Sequence, residues 1–258
     1  MHSARKCYGR MGLISRVSNG ITSYNVVRIT KTSDNGVLSC NFEILSSEKR
    51  EWRIVKPEND TFNAEFDMRS SVLYKGNLHW ICNKMTTLLA YDPFKNECRF
   101  ISIPSEVYHM KGKNAILGVS RDNLCYFEMN RISINECKLP GWKMWVMKDY
   151  EKGEWSLDHE EKERKIEGIS VICNVLSGYS PIIPVSFHPW NEEIVYFWYE
   201  GYFFTYNVKK GWFEDDFVSF SSQSIVLMWE MFPLLMPLCP SRLPKPKWDG
   251  KIGNIVNK

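Results

Sequence analysis

Apolar residues along this chain come in short runs separated by polar turns, and four stretches repeat one order. Phe42–Leu45 passes through Ser46–Glu51 into Trp52–Val55, and Leu88–Tyr91 passes through Asp92–Arg99 into Phe100–Ile103. Met144–Met147 passes through Lys148–Glu154 into Trp155–Leu157, and Phe203–Tyr206 passes through Asn207–Gly211 into Trp212–Phe213. Each is an apolar strand, a turn with Ser, Asp or Asn near its start and a Lys inside, and a return strand headed by an aromatic, which predicts a β-hairpin. The heading aromatics stand at 52, 100, 155 and 212, so the intervals are 48, 55 and 57 residues. A period of about 50 suits a four-stranded propeller blade of the kelch kind and exceeds most helical repeats.

The other half of each unit stands just upstream. Ser71–Tyr74 turns at Lys75–Asn77 into Leu78–Ile81, Ile116–Val119 turns at Arg121–Asn123 into Leu124–Phe127, and Pro184–Phe187 turns near Trp190–Glu192 into Ile194–Phe197. Ahead of the first hairpin, Tyr24–Thr30 reads as one strong strand followed by a polar loop, Lys31–Gly36. Two hairpins per period make a four-stranded blade. Helix signals are poor: Asp158–Ile166 is nearly all charged, has no apolar stripe and reads as a loop between blades. Pro57–Arg69, Pro104–Asn114 and Asp158–Pro181 read as loops at similar phases of the repeat. The apolar stretch Ile225–Leu238 carries Glu230, Pro233 and Pro237 and falls short of the roughly 20 residues a membrane span needs, so it is expected to be a buried closing strand.

Composition sharpens this picture in two places. Aromatics make up 14% of the 258 residues, which favours pleated, half-buried surfaces. A net charge of +3 from 33 basic and 30 acidic residues gives no field for steering onto nucleic acid or an anionic membrane, and neither is expected as a partner. The eight cysteines are scattered without a C-x-x-C pair, so no zinc site is expected, and most read as reduced, buried, small hydrophobes. Met1–Gly20 lacks the apolar run of a secretory signal, which points to a cytoplasmic or nuclear location. The sequon at Asn59-Asp60-Thr61 is then a chance match.

Motifs for chemistry are absent: no nucleophile elbow, no phosphate loop, no dinucleotide fingerprint and no H-E-x-x-H. His159-Glu160-Glu161 lacks the second histidine of a zinc helix, since position 163 is Glu, and reads as a solvated charge run. His79 and His188, inside apolar strands, are candidates for lining a pocket or ligating a metal and are weighed as structural histidines. Asp215 and Asp216 are adjacent, but neighbours on a strand face opposite sides and do not converge on one substrate. In Tyr196–Tyr199 and Tyr202–Phe204, alternate rings are expected to fill the space between blades, the exposed minority being the contact surface. No catalytic residue, metal or cofactor is assigned, and no enzyme is expected.

An ordered series of segments resembles the C-terminal F-box-associated domain of plant F-box proteins. It runs Thr22–Arg28, Phe42–Glu48, Glu51–Arg53, Gly76–Trp80, Leu89–Phe94, Leu117–Arg121, Asp149–Leu157, Phe187–Pro189 and the proline-punctuated tail from Pro237 to Pro244. The resemblance implies an all-β, kelch-like propeller, incomplete, of about four to five four-stranded antiparallel blades, in a single domain over 1–258 with poorly ordered tails at 1–20 and 245–258. It implies a protein-interaction module that recruits a target protein for ubiquitination by an SCF-type ligase. No F-box segment precedes Tyr24, so binding to the Skp adaptor is expected only if an F-box is supplied, and the chain reads as a truncated product or fragment. The alternatives are a non-delivering F-box-associated fragment and a glycan-acting propeller enzyme.

Overall fold

The computed structural model of the chain describes residues 10–34, 37–56, 71–82, 86–104, 113–130, 138–165, 182–199 and 202–219. Every regular element among them is a strand, and the strands form four antiparallel four-stranded sheets taken in chain order. Sheet 1 is β1 (Arg10–Ser18), β2 (Ile21–Asp34), β3 (Val37–Ser46) and β4 (Glu51–Val55). Sheet 2 is β5 (Val72–Tyr74), β6 (Asn77–Cys82), β7 (Thr87–Asp92) and β8 (Glu97–Ser102). Sheet 3 is β9 (Lys113–Ser120), β10 (Asn123–Asn130), β12 (Trp142–Asp149) and β13 (Glu154–Glu161), with a short ribbon of β11 (Lys138–Leu139) and β14 (Arg164–Lys165) beside it. Sheet 4 is β15 (Ile183–Phe187), β16 (Ile194–Tyr199), β17 (Tyr202–Asn207) and β18 (Trp212–Ser219).

Side-chain alternation explains how the sheets stack, because a strand between two neighbours must be apolar on both faces. In β6, Leu78, Trp80 and Cys82 join Val27, Ile29, Phe42 and Ile44 of sheet 1, while Ile81 joins Leu124, Tyr126 and Trp145 of sheet 3. In β10 the alternate residues, Cys125 and Phe127, join Phe187, Val195 and Phe197 of sheet 4. Three cores therefore fill three junctions. The first strands lead the stacking, β1 against β5, β5 against β9 and β9 against β15, with no comparable contact from β15 back to β1 among the described residues. Gly118 of β9 permits one of these approaches, since a Cβ there would lie 2.5 Å from the Phe187 ring.

Three expectations need correction. The segment read as a tail within residues 1–20 contains β1, which pairs with β2 from Arg10↔Ile29 to Ser18↔Ile21 and buries Ile14. The loop expected at Lys31–Gly36 is strand as far as Asp34, paired with Val37–Cys40. The charged stretch expected as a loop from Asp158 continues β13 to Glu161, with Lys143 Nζ 3.4 Å from Glu160 Oε1 across the ladder. As the outermost strand of its sheet, β13 carries charges at little cost, so no apolar period marks it. The heading aromatics all lie on the fourth strand of their sheets, yet not in one register: Trp52, Phe100, Trp155 and Trp212 pair with Leu45, Leu89, Met147 and Asn207. Ile225–Leu238, Asn59–Thr61 and 245–258 lie outside the described residues.

Candidate protein-interaction face

The strict repeat is in the turn between the third and fourth strands. A polar residue closes the third strand, a Lys follows three positions later, and the fourth strand starts two positions after that: Ser46/Lys49/Glu51, Asp92/Lys95/Glu97, Asp149/Lys152/Glu154, Asn207/Lys210/Trp212. Each cap's side-chain oxygen accepts from the turn's main chain, at Lys49 N (3.4 Å), Phe94 N (2.8 Å), Lys152 N (3.1 Å) and Lys210 N (2.9 Å). The Lys152 main-chain N–H and ammonium hold the Asp149 carboxyl below its usual pKa. The residue before the fourth strand has positive φ in every case: Arg50 (56°), Asn96 (63°), Gly153 (70°) and Gly211 (71°). The first two strands of sheets 1, 2 and 3 close through two-residue turns with both φ values positive, Asn19-Gly20, Lys75-Gly76 and Arg121-Asp122.

Antiparallel alternation puts both kinds of turn at the same end of each sheet, and contacts between neighbours bring these ends together. The Arg16 guanidinium lies 4.1 Å over the Phe94 ring, and Arg53 Nη2 donates to Pro93 O at 3.0 Å. Lys75 Nζ sits 5.7 Å from the Tyr74 ring and 5.4 Å from that of Tyr150, while Arg99 donates to Tyr150 O and to Glu151 O. Among the described residues these seven turns and the loop between β15 and β16 thus form one face, set on sheets packed against one another. Such a face is where a scaffold presents contact residues.

Its most constrained point is the loop between β15 and β16. Arg121, from the tight turn of sheet 3, donates from its backbone N to Pro189 O (2.9 Å) and from Nε to Trp190 O (3.1 Å), and its Nη1 meets Glu192 Oε1 at 3.1 Å. Ser120 Oγ donates to His188 O at 2.7 Å. His188 Nδ1 accepts from Trp190 N (3.2 Å) and Asn191 N (3.0 Å), so this nitrogen carries no proton. All of this fixes the backbone of Trp190, whose side chain is nevertheless 68% exposed. A large aromatic held in place and left in water is the form a binding anchor takes.

Of the other sequence candidates, His79 serves the scaffold. His79 is fully buried: its Nδ1–H donates to Val72 O (3.2 Å), which leaves Nε2 to accept from Tyr150 O–H (2.9 Å). Burial drives its pKa down to about 4. His159 lies on β13 with Nε2 3.3 Å from Asp158 Oδ2, on a strand and not on a helix. Asp215 and Asp216 are neighbours on β18. No group of three metal-ligating side chains occurs among the described residues. Cys82 and Cys125 are buried, the Cys125 thiol being pushed up to about 12 by burial, whereas Cys98 is exposed. In sheet 4 alternate rings do face the junction, Phe197 and Phe204 inward and Tyr196, Trp198 and Phe203 on the opposite face. Trp190 escaped sequence reading because its signal, an aromatic in a Pro-Trp-Asn-Glu turn, says nothing of an arginine 69 residues away.

Among the described residues no helix is long and apolar enough to cross a membrane. Two Arabidopsis thaliana chains named as F-box proteins, At3g23950 and At3g23970, are each 25% identical to this one, over 193 and 197 residues. Each match covers 72% of this chain and 43% of the relative, so the chain spans less than half the length of these curated relatives. A Pyrococcus horikoshii acylaminoacyl peptidase aligns over 76% of this chain and 32% of its own at 11% identity, with a TM-score of 0.33 that is too low to indicate a shared fold or activity. The family profile described as F-box protein At3g26010-like, beta-propeller, matches residues 2–215, the span that holds the four sheets up to β18, and the chain belongs to that family.

Proposed function

We propose that this chain is a protein-binding module that selects a target through its turn-bearing face, with Trp190 as the anchor, and that it corresponds to the target-choosing part of an SCF-type ubiquitin ligase receptor. The observation that carries the reading is the exposed Trp190 indole on a backbone fixed by Arg121, Ser120 and His188. Membership of an F-box propeller family supports a protein-interaction role. No bond chemistry is required of such a module, because the transfer of ubiquitin is carried out by other subunits of the ligase. Contact with the Skp adaptor is the part of an F-box and is not asked of this face.

The test starts from the full chain, wild-type and Trp190→Ala, used as paired baits in plant tissue. A protein retained by the wild type is purified and titrated against both. Truncating an anchor costs about 2 kcal/mol or more, so the variant is expected to bind roughly thirtyfold more weakly with an unchanged melting temperature. Equal affinities would remove Trp190 from the binding face. The ligase reading is tested separately: target turnover in plant cells should slow when residues 1–258 alone are overexpressed as a competitor for the target, and unaltered turnover contradicts it.

A further inference from the structure

The fourth residue of the second strand is aromatic in every sheet: Tyr24, Trp80, Tyr126 and Phe197. The last three are 1%, 0% and 3% exposed, because each ring presses on the sheet before its own, whereas Tyr24 is 45% exposed. The position is the same and only the covering sheet differs. On the same face of sheet 1, Met11, Leu13, Trp52 and Ile54 are also exposed, an apolar patch well beyond scattered single residues. Its central charges cancel: Arg28 Nε meets Glu43 Oε2 at 2.7 Å and the guanidinium lies 5.1 Å over the Trp52 ring, so covering the face buries no bare ion. At the far end of the described series, sheet 4 offers the reciprocal face, with Trp198 half-buried and Trp212 53% exposed.

We propose that two copies of this chain close on each other head to tail, the outer face of sheet 4 in each copy covering the outer face of sheet 1 in the other. The contact continues a series already made three times within the chain, with an aromatic on the second strand of one sheet pressed against the preceding sheet. A head-to-tail contact between unlike faces either closes into a ring or grows into a filament. Two copies bring eight described sheets to one ring, within the roughly four to eight blades that propellers accommodate.

Sedimentation of the full chain tests this, with expected twice the chain mass at micromolar concentration. Tyr24→Glu and Trp198→Glu, on opposite faces, should each give monomers, and mixing the two variants should restore a dimer, since one wild-type junction remains in the mixed pair. Far-ultraviolet circular dichroism checks that each variant keeps its strands, and Trp212→Glu replaces Trp198→Glu if the latter does not fold. A folded wild type that stays monomeric, a filament, or dimerisation that survives loss of the sheet 4 face would each overturn the proposal.

Discussion

Arg53 donates from Nη2 to the carbonyl oxygen of Pro93 at 3.0 Å, and one sheet further on Arg99 makes the same bond to Tyr150. Both arginines stand seven residues after their turn cap, Ser46 or Asp92, and both acceptors stand one residue after the cap of the next sheet. Ser156 holds the equivalent place in sheet 3, where Arg121 binds the next sheet instead. Arg99→Ala should lower the unfolding free energy by about 2 kcal/mol, the usual worth of a hydrogen bond from a charged donor. Arg99→Lys should recover little of it, because an ammonium lacks the planar fork that reaches Tyr150 O and Glu151 O together. Urea denaturation of the three proteins decides, and coincident curves would remove the arginine from the junction.

Arg50 adopts a left-handed backbone where sheets 3 and 4 place Gly153 and Gly211. A side chain in that conformation costs on the order of 1 kcal/mol. Arg50→Gly is therefore expected to raise the thermal midpoint slightly, and Gly153→Ala to lower it. A calorimetric comparison in which both changes destabilise would show that the four turns are not equivalent.

Gly118 sits against Phe187, which is 2% exposed, so a methyl group there must displace the ring. Gly118→Ala should cost about 1–3 kcal/mol through overpacking. Pairing it with Phe187→Leu should return part of the loss, a coupling that a double-mutant cycle measures and that a purely local backbone effect would not give.

His79 links stability to pH through its depressed pKa. The unfolded imidazole takes up a proton near pH 6.5, while the buried one stays neutral down to about 4. Between these values the unfolded chain holds more protons, so this group's effect is absent above pH 6.5 and destabilises progressively as pH falls to about 4. The full loss is on the order of 3 kcal/mol at 1.36 kcal/mol per unit. In His79→Gln the stability curve should be flatter across that window, and an unchanged slope would place the acid sensitivity elsewhere.

The hairpin turns were legible in the sequence because their chemistry is local: Ser46, Asp92, Asp149 and Asn207 cap turns made by the next four residues. The second-strand aromatics were less legible, since Tyr24, Trp80, Tyr126 and Phe197 are separated by 56, 46 and 71 residues, the unevenness coming from connections of unequal length. Trp52, Phe100, Trp155 and Trp212 mark the fourth strand but not its register, because the outermost strand packs on one side only, and packing does not hold its aromatics to one phase. Of the candidate face, the turns could be read. The clamp of Arg121 on Trp190 could not, because it depends on two sheets lying side by side.

Amide hydrogen exchange, measured on the full chain alone and with a captured partner, tests the binding face most directly. Slowed exchange is predicted at Lys75–Gly76, Arg121–Asp122, Tyr150–Gly153 and His188–Glu193, turns of the face that carries Trp190. Slowed exchange confined to the opposite ends of the strands, with these turns unchanged, would contradict the account.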